Sequence, residues 1–561
     1  MILVPVLLLI LIPALLASIC ILSLLLYIAL YRASTTTSRT SLGRSAAVVV
    51  LGDVGRSPRM CYHVESLADE GWRVAVVGYG GSSLPTSIQR SSVRFHKLKE
   101  VPSWIAKLPR AAFVAVAPLK LLWQSVGLFW KITMTIQPPP EVIFVQTPPA
   151  LPTLLIIRIC SLLLSSRVVI DWHNLGYTIL GLRLGQDSPL VSFARTLERL
   201  SGRTAFAHLF VTHAMKRHLE VEWQLEGHKA VLHDRPPKHF RKAHVSETHT
   251  LWKGLAPRLT PDLEDFWPKE SQVTKSSTPF TQQDAAGKIS LRADRPALVV
   301  SSTSWTADED FGLLLRAAQL YEKRAKEIRG RTQASSSTAY SESPRTSVDL
   351  QQHSSNGSTS GAKLEVRLPA SASSDSLEME WPGTPSGSRP SHRSRRPSGQ
   401  SRRSFTLPNT PAERLPKLLI VVTGKGELRS YYEKEVARLE KTEAWEFVRI
   451  RTAWLENWEY PLLLGSADIG VSLHTSSSGL DLPMKVVDML GCHLPVLALD
   501  FSCLDELIQH GYNGLKFSDE EQLVEGLESL LADFPHSSSS EIGSSEQGNW
   551  LVRGGGLKQP F

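Results

Sequence analysis

Cysteine is scarce in this chain: five residues in 561, far apart and without C-x-x-C spacing. A disulfide framework needs an even, patterned set of cysteines, and a structural zinc site needs paired ligands. Neither is expected here. The scarcity favours a chain that meets a reducing, cytosolic environment.

The sequence also lacks a strong charge excess. Charged residues make up 21% of the chain, and the formal net charge is +8. Basic residues do not alternate with aromatic residues on any one predicted element, so nucleic acid is not an expected partner. A modest positive excess suits an anionic membrane surface or a diphosphate substrate.

Charge is absent altogether from residues 2–31, and the first basic residue is Arg32. About 20 apolar residues span a bilayer, whereas a cleaved signal peptide has a basic start and a shorter apolar run. We therefore expect an uncleaved transmembrane anchor over residues 1–32. Arg32, Arg39 and Arg44 follow the apolar run, so the positive-inside rule predicts a lumenal N-terminus and a cytosolic remainder.

Residues 330–416 have few side chains that could form a core. Ser, Thr, Pro, Gly and Arg dominate this segment, which predicts a disordered insert. Around it, alternating strands and helices predict an N-terminal lobe over residues 45–237 and a C-terminal lobe over residues 295–535. A connection over residues 238–294 joins the lobes, and residues 536–561 are expected to be a disordered tail.

Two apolar stretches, residues 104–135 and 151–164, contain isolated basic residues. Each predicts either a helix in the membrane interface or a buried helix of the α/β core. A further helix begins at Ser188-Pro189 and places its apolar residues on one face. Glu198 lies off that face, where a solvated position is expected rather than a carboxylate in a cleft.

A glycine turn follows the first strand in LGDVGRSPRM, Leu51–Met60. Gly52 and Gly55 allow the backbone to approach a ligand closely, and Arg56 and Arg59 supply cations beside them. The G-x-G-x-x-G fingerprint of a dinucleotide site and its ribose-binding acid are both missing, which argues against an NAD-dependent oxidoreductase. The turn therefore predicts a site for the diphosphate of an acceptor.

Residues 467–499 are the most informative segment. Their pattern predicts a strand, a polar loop, a helix from Pro483 and a second strand. A Ser/Gly loop and a helix N-terminus just past a strand favour a bound phosphate. Lys485 and Asp488 share one helix face. The lysine can neutralise a diphosphate, and the carboxylate can accept hydrogen bonds from a ribose diol. A solvated loop with a surface Lys–Asp pair is the alternative interpretation.

Within that segment, HTSSSGLDLPMKVVDMLGC (residues 474–492) resembles the signature of the chitobiosyldiphosphodolichol beta-mannosyltransferases. Three further segments resemble that family in the same order: Leu51–Met60, VIDWHNLGYTIL (Val169–Leu180) and VTGKGELRSYY (Val422–Tyr432). The resemblance implies an α/β GT-B fold, in which two Rossmann-like lobes face a cleft. It also implies transfer of mannose from GDP-mannose to dolichyl-diphosphate chitobiose at the cytosolic face of the endoplasmic reticulum membrane.

The implied reaction inverts the donor linkage, so it needs a base for the acceptor hydroxyl and a cradle for the departing GDP. His173 is the leading base candidate, because it follows a strand and has Asp171 close by in sequence. Asp53 is the second candidate. The expected donor-binding residues are Ser302, Gly424, Gly426, Trp454, Leu455, Ser477, Ser478, Gly479, Asp481, Lys485 and Asp488.

One departure limits how far roles can be transferred. Many retaining GT-B enzymes carry two glutamates separated by seven residues, whereas Asp481 and Asp488 are separated by six. No D-x-D pair occurs in an obvious metal-binding loop, so no tightly bound metal is expected, although Mg²⁺ could stimulate transfer through the diphosphate. Other mannosyltransferases of the pathway are further candidate partners. A catalytically inactive membrane scaffold for those enzymes is the alternative function.

Overall fold

The computed structural model describes residues 43–100, 110–261, 263, 277–303, 305, 309–339, 414–476, 478–532 and 534–535. The expected anchor and tail, and most of the expected insert, lie outside these residues. The chain forms two compact units, residues 1–330 with 410–561 and residues 331–409. The first unit holds both sheets. Of the second, only the end of a helix is described.

Seven parallel strands form the first sheet, in the order β3-β2-β1-β4-β5-β6-β7. Its central strands are runs of apolar, mostly β-branched residues that are buried on both faces, as expected for a parallel sheet covered by helices. The strands are β1 Ser45–Asp53, β2 Arg73–Tyr79, β3 Val93–Lys97, β4 Val142–Thr147, β5 Arg167–Trp172, β6 Thr204–Phe210 and β7 Glu226–Val231.

Among the described residues, six helices accompany this sheet. They are α1 Pro58–Asp69, α2 Arg110–Trp130, α3 Thr153–Leu164, α4 Gly176–Leu184, α5 Pro189–Gly202 and α6 His213–Trp223, with a π-helical turn, Lys131–Thr135, directly after α2. The two apolar stretches of the sequence correspond to α2 with this turn and to α3. Within the described residues, no helix is long and apolar enough to cross a membrane.

Six parallel strands form the second sheet, in the order β12-β11-β10-β13-β14-β15. They are β10 Ala297–Ser302, β11 Leu418–Thr423, β12 Val448–Ala453, β13 Ile469–Ser472, β14 Val496–Leu499 and β15 Gly514–Phe517. The accompanying helices are α8 Phe311–Ala339, α9 Arg429–Thr442, α10 Glu459–Ser466, α11 Met484–Gly491 and α12 Glu520–Leu530. Apolar clusters cover both faces of this sheet.

The connection between the sheets is part of the second lobe's core. It contains helix α7, Val245–Leu255, and a small antiparallel pair, β8 Thr281–Gln283 and β9 Ile289–Leu291. Trp252 and Phe280 are buried and pack against each other and against strand β10. At the edges of the expected insert, α8 extends to Ala339 and Leu415 is buried.

Candidate active site

In both sheets, the strand order reverses beside the first strand of the lobe. The neighbours at this point are β1 and β4 in the first sheet, and β10 and β13 in the second. Parallel α/β sheets bind ligands in the crevice that opens there, at the carboxyl ends of the strands. The predicted site residues Asp53, Ser302 and His173 lie at or just after such strand ends, so the fold itself brings them to ligand-binding edges.

The loop after β13 is organised around Asp481. Its carboxylate accepts hydrogen bonds from the hydroxyls of Ser476 and Ser478, and the Ser478 hydroxyl also accepts one from the backbone N–H of Leu480. Gly479 has φ +68°, a left-handed conformation that glycine adopts readily. This loop ends at Pro483, the residue before α11. Ser477, a predicted donor ligand, lies outside the described residues.

Lys485 lies in the first turn of α11, and its ammonium group contacts the carboxylate of Glu309. Glu309 is buried, accepts a hydrogen bond from the Thr303 hydroxyl, and lies 3.8 Å from His474 Nδ1. Burial alone would raise the pKa of Glu309, but His474 and Lys485 lower it to about 2. The sequence analysis missed Glu309, because nothing in the local sequence indicates that its loop meets the loop after β13.

Asp488 occupies the next turn of α11. Burial raises the pKa of its carboxyl group to about 7. Burial, together with the charge of Asp488, raises the pKa of the phenols of Tyr62, on α1 in the first lobe, and Tyr460, on α10. Tyr460 also pairs its hydroxyl with Ser302 at 3.1 Å. Asp488 therefore lies within electrostatic range of both lobes.

The remaining predicted donor residues lie in the turns after β11 and β12. Gly424 has φ +131°, and a Cβ atom there would lie 1.7 Å from the carbonyl oxygen of Thr303, so this turn requires glycine. Gly426 lies two residues further on, in the same turn. Trp454 is exposed, with the ammonium group of Lys425 3.6 Å from its ring centroid. Leu455 is half-buried against the core.

The glycine turn after β1 is held by Asp53. Its carboxylate accepts hydrogen bonds from the backbone N–H groups of Gly55, Gly81 and Ser82 and from the Ser82 hydroxyl. Burial alone would raise the pKa of Asp53, but these hydrogen bonds lower it. A carboxylate with this many donors is a poor base, so its environment argues against Asp53 in that role.

Of the four predicted diphosphate ligands, Arg56 is accessible, with 79% of its side chain exposed. Gly55 packs tightly, since a Cβ atom would lie 2.9 Å from the side chain of Ser82 and from a backbone oxygen. Gly52 has space for a Cβ atom. Arg59 is 6% exposed and faces the protein interior. Its position argues against contact with a diphosphate.

Arg59 instead neutralises Asp171, the last residue but one of β5. The guanidinium group donates from Nε at 2.8 Å and from a terminal nitrogen at 2.9 Å. His63, one helical turn after Arg59, pairs with Asp171 through Nε2 at 2.9 Å. The Nε2 atom of His173 lies 3.2 Å from the same carboxylate without hydrogen-bond alignment. The sequence analysis missed His63.

Asp171 is completely buried. Its burial would by itself raise the pKa of the carboxyl group, but His173, His63 and Arg59 hold it well below its usual range. An ionised carboxylate beside an imidazole can stabilise the positive charge that the ring gains when it accepts a proton. His173 is therefore placed beside the group that a general base needs.

The loop that carries His173 touches the second lobe. The side-chain amide of Asn174 donates to Asp481 Oδ2 at 3.1 Å. Nearby, the Thr212 hydroxyl donates to the carbonyl oxygen of Leu480, and Leu480 packs against the first lobe's core. The base candidate and the Ser/Gly loop thus lie on opposite sides of one cleft.

The expectation that Glu198 is solvated is wrong. Its side chain is buried, and its two carboxylate oxygens accept hydrogen bonds from the backbone N–H groups of Gly176 and Tyr177, each at 3.0 Å. It therefore caps helix α4, which begins directly after the His173–Asn174 loop. The physical reason is that the helix buries the face that carries Val191, Glu198 and Gly202, and leaves Leu190, Phe193 and Leu200 of the predicted apolar face exposed.

One group of potential metal ligands lies near the cleft among the described residues. The ligand atoms of His213, His233 and Glu506 lie within 4.8 Å of one another. Both carboxylate oxygens of Glu506 already accept backbone N–H groups, from His213 and Ala214. The carboxylate thus joins the second lobe to the start of α6.

Two parallel α/β lobes with a polar cleft between them form the arrangement of the GT-B fold. Consistent with this, residues 55–233 match the model of a glycosyl transferase 4-like domain, and residues 407–533 match that of the glycosyl transferases group 1. The chain is therefore a glycosyltransferase.

Relatives that match most of the chain identify the family within the glycosyltransferases. The chain is 36% identical over 499 residues to chitobiosyldiphosphodolichol beta-mannosyltransferase of Homo sapiens, covering 89% of this chain and 86% of that protein. With the Dictyostelium discoideum protein of the same name it shares 34% over 496 residues, covering 86% and 83%. It is 37% identical over 521 residues to UDP-glycosyltransferase TURAN of Arabidopsis thaliana, covering 90% and 94%. The chain belongs to the chitobiosyldiphosphodolichol beta-mannosyltransferase family.

Proposed function

We propose that this chain is an inverting β-1,4-mannosyltransferase that moves mannose from GDP-mannose to dolichyl-diphosphate chitobiose. The names of its relatives support the acceptor and the sugar. The observation that carries the proposal is the contact between Asn174 and Asp481. This contact joins the loop of the base candidate to the loop that precedes the predicted phosphate-binding helix.

On the donor side, the N-terminus of α11 and Lys485 bind the diphosphate of GDP-mannose. Backbone N–H groups in the first helical turn and the lysine stabilise the negative charge that grows as GDP departs. Glu309 holds Lys485 in place before the donor binds. Asp488 accepts hydrogen bonds from the ribose. Gly424, Gly426 and Trp454 line the part of the site that holds the guanine ring.

On the acceptor side, His173 takes the proton from the attacking hydroxyl of chitobiose. The hydroxyl oxygen then forms its bond to the anomeric carbon of mannose as the bond to the diphosphate breaks, so one displacement inverts the linkage. Asp171, 3.2 Å from His173 Nε2, stabilises the imidazolium that forms. The accessible Arg56 and the turn after β1 bind the acceptor's diphosphate.

We also propose a location and an ion requirement. An anchor over residues 1–32 would hold the chain in the endoplasmic reticulum membrane with both lobes on the cytosolic face. Transfer requires no tightly bound metal in this proposal: within the described part of the chain, the one group of potential ligands near the cleft includes Glu506, whose carboxylate oxygens accept two backbone N–H groups. Mg²⁺ acts only through the diphosphates.

The test is transfer of radiolabelled sugar to a lipid-linked diphosphate chitobiose by the purified full-length chain in detergent. GDP-mannose is offered in competition with UDP-glucose and UDP-GlcNAc, since the name of one relative specifies a UDP donor. We expect a product from GDP-mannose only. A β-mannosidase should release the labelled mannose from that product. Transfer from a UDP-sugar would overturn the donor assignment. Folded protein that uses no donor would favour the inactive scaffold.

A further inference from the structure

Four adjoining helices of the first lobe expose an unusual number of large apolar side chains. Helix α2 packs against α3, α3 against α5, and α5 against α4. Large apolar side chains that are 39–67% exposed number six on α2, three on α3, two on α4 and three on α5. They are Leu119, Leu121, Leu122, Trp123, Val126, Trp130, Leu155, Ile159, Leu162, Leu182, Leu184, Leu190, Phe193 and Leu200. We call this surface the apolar face.

The charges on these helices are almost all of one sign. The four helices contain six basic residues, and their one acidic residue, Glu198, is buried. Helices α2, α3 and α4 contain no acidic residue at all. Among the described basic side chains, Arg199 is exposed on α5, Arg195 is exposed there and pairs with Glu222 of α6, and Lys131 follows α2 directly. The apolar face therefore has cationic side chains around it and no exposed carboxylate from its own helices.

We propose that the apolar face docks on the surface of a membrane that contains anionic phospholipids. Contiguous apolar surface on a folded chain marks a site of association. Lysine and arginine beside it add attraction to anionic headgroups. Two of its members, Trp123 and Trp130, are of the residue type that prefers the boundary between acyl chains and headgroups. None of these four helices needs to span the bilayer, because the apolar face lies on the membrane surface.

The position of the apolar face agrees with membrane docking. Helix α4 begins two residues after Asn174, at the cleft, and ends in exposed Leu182 and Leu184. A membrane bound at this face would thus lie on the lobe that carries the predicted acceptor site. The described part of the second lobe has no comparable cluster on adjoining helices: its exposed large apolar residues, such as Tyr431 and Tyr512, are scattered.

The experiment places a fluorophore on single introduced cysteines in the full-length chain, reconstituted into vesicles of phosphatidylcholine and phosphatidylserine. Phe193→Cys and Trp123→Cys report on the apolar face. Tyr431→Cys is the matched control, with 58% of the residue exposed against 62% for Phe193. The unsubstituted chain gives the background, and its four described cysteines are buried. Every variant carries the same N-terminal segment, so any anchor affects all of them equally.

We expect lipids with brominated acyl chains to quench the fluorophore at positions 193 and 123 but not at position 431. Quenching should weaken in vesicles of phosphatidylcholine alone, and also in a Phe193→Cys chain that carries Arg199→Glu. Equal quenching at positions 193 and 431 would overturn the proposal. Equal quenching in neutral and anionic vesicles would overturn the assignment of anionic lipid.

A different outcome would identify another occupant. If the fluorophore at position 193 is shielded from aqueous iodide in the vesicles but is not quenched by brominated lipid, protein covers the face, as a second copy of the chain would, and membrane docking is contradicted. None of these measurements depends on catalysis. Their result is therefore independent of whether the chain transfers mannose.

Discussion

A carboxylate buried as completely as that of Asp171 is stable only because Arg59, His63 and His173 surround it. The arrangement has two consequences. Arg59 is removed from the surface, where the sequence alone would place an arginine that follows a glycine turn. His173, in contrast, gains an ionised carboxylate 3.2 Å from its Nε2 atom.

Asp171→Asn should destabilise the chain by about 3 kcal/mol, because it leaves the buried guanidinium of Arg59 with the longer pair to Asp234, at 3.3 Å, as its remaining ion pair among the described residues. The measurement is urea unfolding followed by tryptophan fluorescence. Asp69→Asn is the matched control, since it removes a carboxylate from the solvent-exposed pair with Arg90. The control should unfold like the unsubstituted chain. Equal midpoints for both variants would contradict the role given to Asp171.

Asp488 makes donor binding sensitive to pH. Its carboxyl pKa of about 7 means that it is mostly protonated at pH 6 and mostly ionised at pH 8. Only the ionised form can accept both hydrogens of a ribose diol. The KM for the donor should therefore fall by up to about tenfold as pH rises from 6 to 8.

The control for this effect is Asp488→Asn, which cannot ionise. This variant should have a higher KM for the donor that changes little with pH. If the variant keeps the same pH dependence as the unsubstituted chain, another group is responsible and the ribose assignment fails.

At the scale of elements, the turn between β11 and α9 depends on one glycine. Gly424→Ala places a Cβ atom against the carbonyl oxygen of Thr303 and forces a left-handed φ on alanine. We expect a loss of about 1–3 kcal/mol or more in unfolding free energy, with weaker donor binding. Gly52→Ala is the control, because its nearest new contact is at 3.7 Å. Equal stability of the two variants would show that the turn can relax.

Much of this architecture could be predicted from local sequence. Apolar runs followed by Gly or Ser identify parallel strands and the loops at their carboxyl ends, as with β1 and β13. The order of these loops, together with the family resemblance, predicts two lobes and a cleft. Lys485 and Asp488 are both placed on α11, as helical spacing requires.

The partners of these residues could not be predicted, because they come from distant positions in the chain. Glu309 contacts Lys485, which is 176 residues away in the sequence. His63 contacts Asp171, which is 108 residues away. The direction of an amphipathic helix is also ambiguous in sequence. The pattern of α5 shows that Leu190 and Phe193 share a face, but the same pattern fits burial in a core and exposure to lipid. Because of this ambiguity, the sequence predicts a solvated position for Glu198, whose side chain is buried.

At the scale of the molecule, neither lobe holds the proposed site alone. The first lobe supplies His173 and the turn after β1, and the second supplies α11 and Lys485. Asn174 and Asp481 connect the two loops directly. The proposed reaction therefore needs residues of both lobes, while the apolar face would hold the acceptor lobe against the membrane that contains the lipid-linked substrate.

The most direct test of this account is the turnover number of His173→Ala at saturating GDP-mannose and acceptor. We predict a fall in kcat of about 10²–10⁴-fold, since the general base is lost. Donor affinity should be unchanged, because the donor-binding residues lie in the other lobe. The unfolding midpoint should fall less than that of Asp171→Asn, because Arg59 and His63 still pair with the Asp171 carboxylate. A folded His173→Ala chain that turns over at nearly the unsubstituted rate would contradict the assignment of the base, and with it the proposed use of the cleft.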